Sequence, residues 1–418
     1  MARACGLDFG TSNSTLAVIG PGGAPELLGL EDGKPTIPSV LFFSFEDDRL
    51  YFGREAISEY VSGGEGRLMR SLKSVLGTAL IGDTTRVKAK TYDFLEILGL
   101  FIAELKRRGE VALGEEIDSV VVGRPVQFVD DDAAADAQAQ DQLEQAVRAQ
   151  GFRHIEFQYE PIAAARDYER QVNREHLALV VDLGGGTSDF SLVRVSPERA
   201  RAEDRGGDIL ATGGVHIGGT DFDRLLAMGK VMPELGLGTR TADGKRYLPT
   251  APYYDLSTWH RINRLYAAKP LRDLKSTRKE AEEPERVDKM IAVVEERLGH
   301  RLIGEVEAGK IALSDEPEFD FRFRAEDEII ATRMTAQDLS RLIGEAVERI
   351  GAASLETLRR AGVGPKDVDS LILTGGSTQV PAILHRFGTL FPKAQVIRTD
   401  VLGSVGLGLA VEAGRRFA

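Results

Sequence analysis

Ala178-Leu179-Val180-Val181-Asp182-Leu183-Gly184-Gly185-Gly186-Thr187-Ser188-Asp189-Phe190-Ser191-Leu192-Val193 is an apolar run ending at an aspartate, a turn of glycine and hydroxyl residues, and a second apolar run. Such a pattern predicts a β-hairpin. The same grammar stands at Ala4-Cys5-Gly6-Leu7-Asp8-Phe9-Gly10-Thr11-Ser12-Asn13-Ser14-Thr15-Leu16-Ala17-Val18-Ile19, with Asp8 lying 174 residues before Asp182. Two matched hairpins at that distance predict two lobes of similar plan facing one another across a cleft, with the boundary near 165–177.

Outward from the hairpins the reading is α/β. Helical stretches are expected around 91–108 and 133–150, with Ile117-Asp118-Ser119-Val120-Val121-Val122-Gly123 as a strand between them. The segment 236–290 is polar and reads as irregular, yet it carries Tyr253, Tyr254, Trp259 and Tyr266, which argue that it is folded. Thr335-Ala336-Gln337-Asp338 resembles a capping box. Leu339, Leu342, Ile343, Ala346 and Ile350 follow at helical spacing, and the helix leads into the strand Val368-Asp369-Ser370-Leu371-Ile372-Leu373-Thr374 and a Gly375-Gly376-Ser377 turn.

The 418 residues suffice for two large lobes, and 42% hydrophobic with 28% charged side chains is an ordinary globular balance. A net charge of −12 opposes binding to nucleic acid or anionic lipid, so neither is an expected partner. No apolar run approaches the roughly 20 residues that span a bilayer, and Asp8 comes too early for a secretory hydrophobic region, so the cytoplasm is the expected compartment. Cys5 is the single cysteine, which leaves no intrachain disulfide partner. His154, His176, His216, His260, His300 and His385 lack ligand-like spacing, so a zinc site is not expected.

Glycine turns flanked by Thr or Ser let backbone N–H groups approach phosphate oxygens, and two such turns can clamp a polyphosphate. Either alone can equally be a tight turn; the repetition carries the inference. No Gly-Lys-Ser/Thr is present and each turn runs into a strand, so this is not a P-loop. Asp8 and Asp182 facing the same phosphates would repel unless a divalent cation lay between them, which implies Mg²⁺ and a nucleotide. Asp189 reads either as a third carboxylate near the metal or as an ordinary strand-end residue. Spacing does not place Lys73, for which a solvated helix lysine is the plainer reading. Glu160, ahead of Pro161 and a small-residue helix, suits a helix cap and a catalytic role equally. Glu307 and Lys310, one turn apart, suit a ribose contact or a surface ion pair.

Taken in order, Leu7-Asp8-Phe9-Gly10-Thr11-Ser12-Asn13-Ser14, Glu160-Pro161-Ile162-Ala163-Ala164-Ala165, Asp182-Leu183-Gly184-Gly185-Gly186-Thr187, His216-Ile217-Gly218-Gly219-Thr220-Asp221-Phe222-Asp223 and Leu373-Thr374-Gly375-Gly376-Ser377-Thr378-Gln379-Val380-Pro381 resemble the ATPase domain of the seventy-kilodalton heat-shock (DnaK-type) chaperones. The resemblance covers nearly the whole chain, and Gly123-Arg124-Pro125-Val126 with Leu237-Gly238-Thr239-Arg240-Thr241 makes it similar to the short YegD-like members.

The resemblance implies a two-lobed actin-like ATPase fold of duplicated ribonuclease-H-like lobes with a central nucleotide cleft. Lobe I would be 1–170 and lobe II 171–418, the latter with a partly irregular subdomain at about 224–315 and no peptide-binding domain. It implies ATP or ADP with Mg²⁺ at the cleft base. Gly10, Thr11 and Ser12 would contact phosphate with Gly184, Gly185, Gly186 and Thr187, Thr187 touching the γ-phosphate. Asp8, Asp182 and Asp189 would set the metal, through water, and the attacking water. Lys73 would position that water and Glu160 would assist hydrolysis and interlobe coupling. Gly218 and Gly219 would line the cleft, Glu307, Lys310 and Ser314 would hold the ribose, and Gly375, Gly376 and Ser377 the adenosine.

Three departures stand out. The family's two adenine-stacking arginines appear as Ile311 and Gln379, its Asp-Glu-Ala after the last strand is replaced around Leu402-Gly403-Ser404, and its linker, β-sandwich and lid are not among these 418 residues. The function expected is a slow Mg-dependent ATPase working as a chaperone-type nucleotide switch on a protein client or co-chaperone. A non-hydrolysing nucleotide sensor, an actin-like filament subunit and a small-molecule kinase of the same fold are the alternatives.

Overall fold

The two hairpins form, and each seeds a sheet. A computed structural model describes residues 3–129, 132–169, 171–202, 204–398 and 403–417. In the first sheet Arg3–Phe9 pairs antiparallel with Asn13–Ile19 and parallel with Ile117–Arg124, which pairs parallel with His154–Tyr159. Pro25–Leu27 extends the other side of the hairpin, and Thr36–Pro38 also pairs with Asn13–Ile19. The second sheet repeats this order: Ile209–Val215, Ser188–Val195, His176–Leu183, Ser370–Thr374, Gln395–Arg398. Its hairpin is antiparallel and its last two pairings are parallel. The duplication extends to register, for Asp8 lies opposite Thr15 and Asp182 opposite Asp189.

The helices follow their caps. Phe94–Leu113 opens with a reciprocal capping box between Asp93 and Glu96 and ends at Gly114 in the left-handed region, φ 69°. Ala133–Arg148 is capped by Asp132, which accepts from the Ala134 and Ala135 amides. Ala336–Arg360 begins with half of the expected capping box. Thr335 Oγ1 accepts from the Asp338 amide at 3.0 Å, but the Asp338 carboxylate is taken by Lys230 at 2.9 Å and by the Thr335 hydroxyl.

The segment expected to be irregular is instead mostly helical, with Ala251–Ser257, a 3₁₀ stretch Trp259–Tyr266, Ala268–Glu280 and Pro284–Glu295. Its periodicity was hidden because Ala268–Glu280 buries a single residue, Leu274, and turns its charges outward. Tyr253 is fully buried and donates to the Leu235 carbonyl at 3.1 Å. No described helix is long and apolar enough to cross a membrane.

The C-terminal helix Ser404–Arg416, late in the chain, packs on the hairpin of the first sheet and on Glu160–Glu169. A division of the chain at 170 therefore does not separate the packing units, because this helix returns to the first sheet. The approach is close at Gly408, where a Cβ would lie 2.0 Å from the Ala163 carbonyl oxygen. Gly408→Ala is thus expected to lower stability by about 2–3 kcal/mol through backbone displacement. A thermal melt unchanged by this substitution would show that the helix shifts freely.

Candidate functional site

Both glycine turns are anchored from neighbouring segments and face one another. Ser39 Oγ donates to the Gly10 carbonyl at 2.6 Å and the Ser39 amide to the Ser12 carbonyl at 2.9 Å, fixing the first turn. In the second turn Gly184 N–H donates to the Thr187 carbonyl at 3.0 Å. A Cβ on Gly185 would fall 2.8 Å from Ser12 Oγ, so the two turns are in contact across the lobes. Gly218 backs onto Gly185, where its Cβ would meet the Gly185 carbonyl carbon at 2.6 Å. The Gly184 carbonyl gathers the rest, accepting from the Gly219 amide at 3.0 Å and from Ser377 Oγ at 3.1 Å. Gly375, with φ 81°, approaches so near that a Cβ would lie 2.7 Å from Asp182 Oδ1. Gly10, Thr11, Ser12, Gly184, Gly185, Gly186, Gly218, Gly219, Gly375, Gly376 and Ser377 thus form or adjoin three converging turns.

Below the turns lies an excess of negative charge around one ammonium. Lys73, in the 3₁₀ turn Leu72–Val75, forms a shielded ion pair with Glu160 at the start of Glu160–Glu169. Burial disfavours the charge on Lys73, but Glu160 and then Asp8 outweigh it and raise its pKa above the ordinary lysine value. Asp8 is pushed up to about 7 by burial and by Glu160, with Lys73 opposing. Asp182 is likewise pushed up to about 7, by burial and then by Asp189, Glu160 and Asp8. Asp189 is raised by burial and accepts from Thr187 Oγ1 at 2.8 Å. Glu160, Asp182, Thr187 and Asp189 line a cavity of about 330 Å³ that also meets His216. Among the described residues no group of three or more His, Cys, Asp and Glu side chains is placed to hold a metal directly. Four carboxylates around one lysine are nevertheless an environment a divalent cation would relieve.

On the helix Gly299–Ala312 the two candidate ribose residues part company. Lys310 is buried and pairs with Asp223 at 2.8 Å, so the surface ion pair with Glu307 is replaced by a buried one with a different acid. Glu307 is exposed, Ser314 is half-buried, and Ile311 and Gln379 are both exposed. Of the stretch Leu402-Gly403-Ser404, Leu402 lies outside the described residues, while Ser404 Oγ is 3.1 Å from Thr374 Oγ1.

Sequence reasoning missed a contact that bridges the two halves of the chain. Asn263 Nδ2 donates to the Tyr60 hydroxyl at 2.7 Å, and the Arg70 guanidinium lies 4.6 Å from the Trp259 ring centroid. His300 sits between Trp259 and Tyr60, with centroids at 4.7 and 4.9 Å, and its pKa is pushed down to about 4 by burial. The aromatic content of 251–266 was the only sequence signal, and it pointed to folding without naming a partner.

Comparison with known proteins agrees with this architecture. The family model "Hsp70 protein" matches residues 81–231 and 277–415, and the chain belongs to the Hsp70 family. Among curated relatives, a "Chaperone protein HscA homolog" of Cupriavidus metallidurans is 26% identical over 98% of this chain and 58% of its own length. The "Chaperone protein HscA" of Salmonella typhimurium is 27% identical, with the same coverage of 98% and 58%. The chain spans about 58% of the length of these relatives.

Proposed function

We propose that this chain is a Mg-dependent ATPase that hydrolyses ATP slowly and serves as a chaperone-type nucleotide switch for a protein client or co-chaperone. The observation that carries the reading is the Lys73–Glu160 pair set among Asp8, Asp182 and Asp189 beneath facing glycine turns. The turns offer backbone N–H groups to phosphate oxygens. Asp8, Asp182 and Asp189 would hold Mg²⁺ through water, and the ion would supply charge neutralisation at the transferring phosphoryl group. Lys73 and Glu160 orient a water for in-line attack on that group, and Thr187 contacts the γ-phosphate. The test is phosphate release from the pure protein with MgATP, expected to be slow and abolished by EDTA. Tight binding with no release would leave a nucleotide sensor instead.

Trp259, the single tryptophan, gives this reading an optical check. If nucleotide changes the distance between the lobes, Arg70 moves against its ring, and intrinsic fluorescence is expected to differ between ATP and ADP complexes. Identical spectra in both would argue against lobe movement at this contact.

Base recognition is expected to be weak. With Ile311 and Gln379 where the family stacks guanidinium planes, cation–π attraction of roughly 0.5–1 kcal/mol per exposed arginine is lost. Affinity should be about 5–30-fold below that of a member with both arginines, and ATP should be poorly separated from GTP. Gln379→Arg should tighten ATP binding, as titration calorimetry would show. Nanomolar affinity in the unaltered chain would place the adenine elsewhere.

A further inference from the structure

We propose that Arg166, Glu169, Arg205 and Glu412 form a buried ionic tie that holds the helix Glu160–Glu169 in register, so that these four side chains act as positioning residues for the Lys73–Glu160 pair. The inference rests on the hydrolytic reading above and adds to it residues at the far end of the helix from the site.

The tie sits where two elements that start in the site reach their other ends. Glu160 opens the helix and Glu169 closes it, about 15 Å along at 1.5 Å per residue. Asp189 stands at the start of Ser188–Val195, and Ser196, just past its end, donates its amide to Glu169 Oε1 at 3.3 Å. Arg205, in the connection that leads to Ile209–Val215, grips the same carboxylate through both terminal nitrogens, at 2.7 and 3.0 Å. Arg166 donates to Glu169 at 3.0 Å and stands 2.6 Å from Glu412 of the helix Ser404–Arg416. All four charged side chains are buried. Glu169 thus joins the second sheet, and Arg166 joins the C-terminal helix that packs on the first.

Apolar packing alone gives this helix little axial purchase. Its buried face is Ile162, Ala163, Ala164, Ala165 and Tyr168, and three successive alanines offer few ridges to interlock with a neighbour. Planar, bidentate guanidinium–carboxylate contacts do fix distance and angle. The remaining charges are also matched: Arg205 and Arg199 both pair with Asp208, and Glu412 accepts from Arg415 and Arg416 at 3.0 and 3.1 Å. Burial works against the Glu412 charge, yet Arg166 and then Arg415 hold its pKa below the ordinary glutamate value. A buried ionic set adds little stability over apolar side chains of similar volume, so its use here is specificity of position. A small slide of the helix would carry Glu160 away from Lys73, its partner from 87 residues earlier in the chain.

Single-turnover hydrolysis of MgATP would be followed by rapid quench, ATP affinity by calorimetry and stability by thermal melting. Arg205→Lys keeps the charge but not the fork. The paired change Arg166→Leu with Glu169→Leu cuts the tie, while Arg205 keeps Asp208 and Glu412 keeps Arg415 and Arg416. Each is expected to fold, to bind ATP within about threefold of the unaltered chain and to hydrolyse it about tenfold more slowly. In a Lys73→Ala background the same changes should alter the residual rate by less than about twofold, because the tie acts through Lys73 and Glu160. Unchanged rates in both variants would overturn the tie. So would the same tenfold loss with Lys73 absent, or a loss of affinity equal to the loss of rate. Should the leucine pair fail to fold, Arg205→Lys and Arg166→Lys decide the point. No phosphate release from the unaltered chain would refute the hydrolytic reading and the tie's role with it; undiminished rates in the variants of a chain that does turn over would refute the tie alone.

Discussion

Lys73→Ala is expected to slow single-turnover hydrolysis of MgATP by about 10²–10³-fold while changing ATP affinity by less than about tenfold. The lysine lies beneath the phosphate turns and is held by Glu160, a residue 87 positions away in sequence. A group that orients the attacking water is used mainly in the transition state, so its removal costs rate more than binding. The carboxylates that surround it raise its pKa, so it is charged through the working range. Rapid-quench turnover and titration calorimetry on the same preparation separate the two quantities. Equal loss of rate and affinity would make Lys73 a nucleotide-binding residue.

Asp8→Asn and Asp182→Asn are expected to act in opposite directions on activity and stability. Both carboxyls titrate near 7 in the folded chain, against an ordinary value of 3.8, so the folded state holds these protons more tightly than the unfolded chain does. The stabilisation this gives is complete below about pH 4 and is lost as pH rises through about 7. The nucleotide-free protein should therefore become less stable between pH 5 and 8 as both groups ionise against Glu160 and each other. Replacing either by the neutral amide removes that repulsion, and a gain of about 1–3 kcal/mol at pH 8 is expected, shrinking as pH falls and vanishing near pH 4. The same substitutions should lower Mg-dependent hydrolysis by about 10²-fold or more, because each removes a charge from the shell proposed to hold the ion. Thermal melts at the two pH values and magnesium titrations of turnover measure both halves. Unchanged magnesium dependence in both variants would remove these aspartates from the metal site, and unchanged melts at pH 8 would remove the argument from buried charge.

Such opposed effects are characteristic of a functional site, where a cluster is kept at a cost to the fold so that a ligand can relieve it. The Asp93 and Asp132 helix caps show the contrast. Each satisfies backbone N–H groups at a helix start, a purely structural use of a carboxylate.

Local pattern was enough for the two hairpins, the glycine turns and the pairing of Asp8 with Asp182 as equivalent residues. These depend on alternation of apolar side chains and on the backbone freedom of glycine, both of which are written within about 16 residues. The helices at Phe94–Leu113 and Ala336–Arg360 were visible for the same reason, through their caps and periodicity. Lys73 was not placeable, because its position depends on a 3₁₀ turn whose preceding residue, Ser71, adopts the left-handed region at φ 55°, and on a partner brought by the Glu160–Glu169 helix. The helices of 251–295 escaped notice because their outward faces are charged and only long-range packing defines their inner side. The Asp223–Lys310 pair and the stacking of Arg70 on Trp259 join elements 87 and 189 residues apart, and no local periodicity encodes which charge or ring lies opposite another once two sheets and their covering helices have packed. Neighbouring residues set the identity of each element, whereas the pairing of charges across the cleft depends on the buried faces left facing one another after folding.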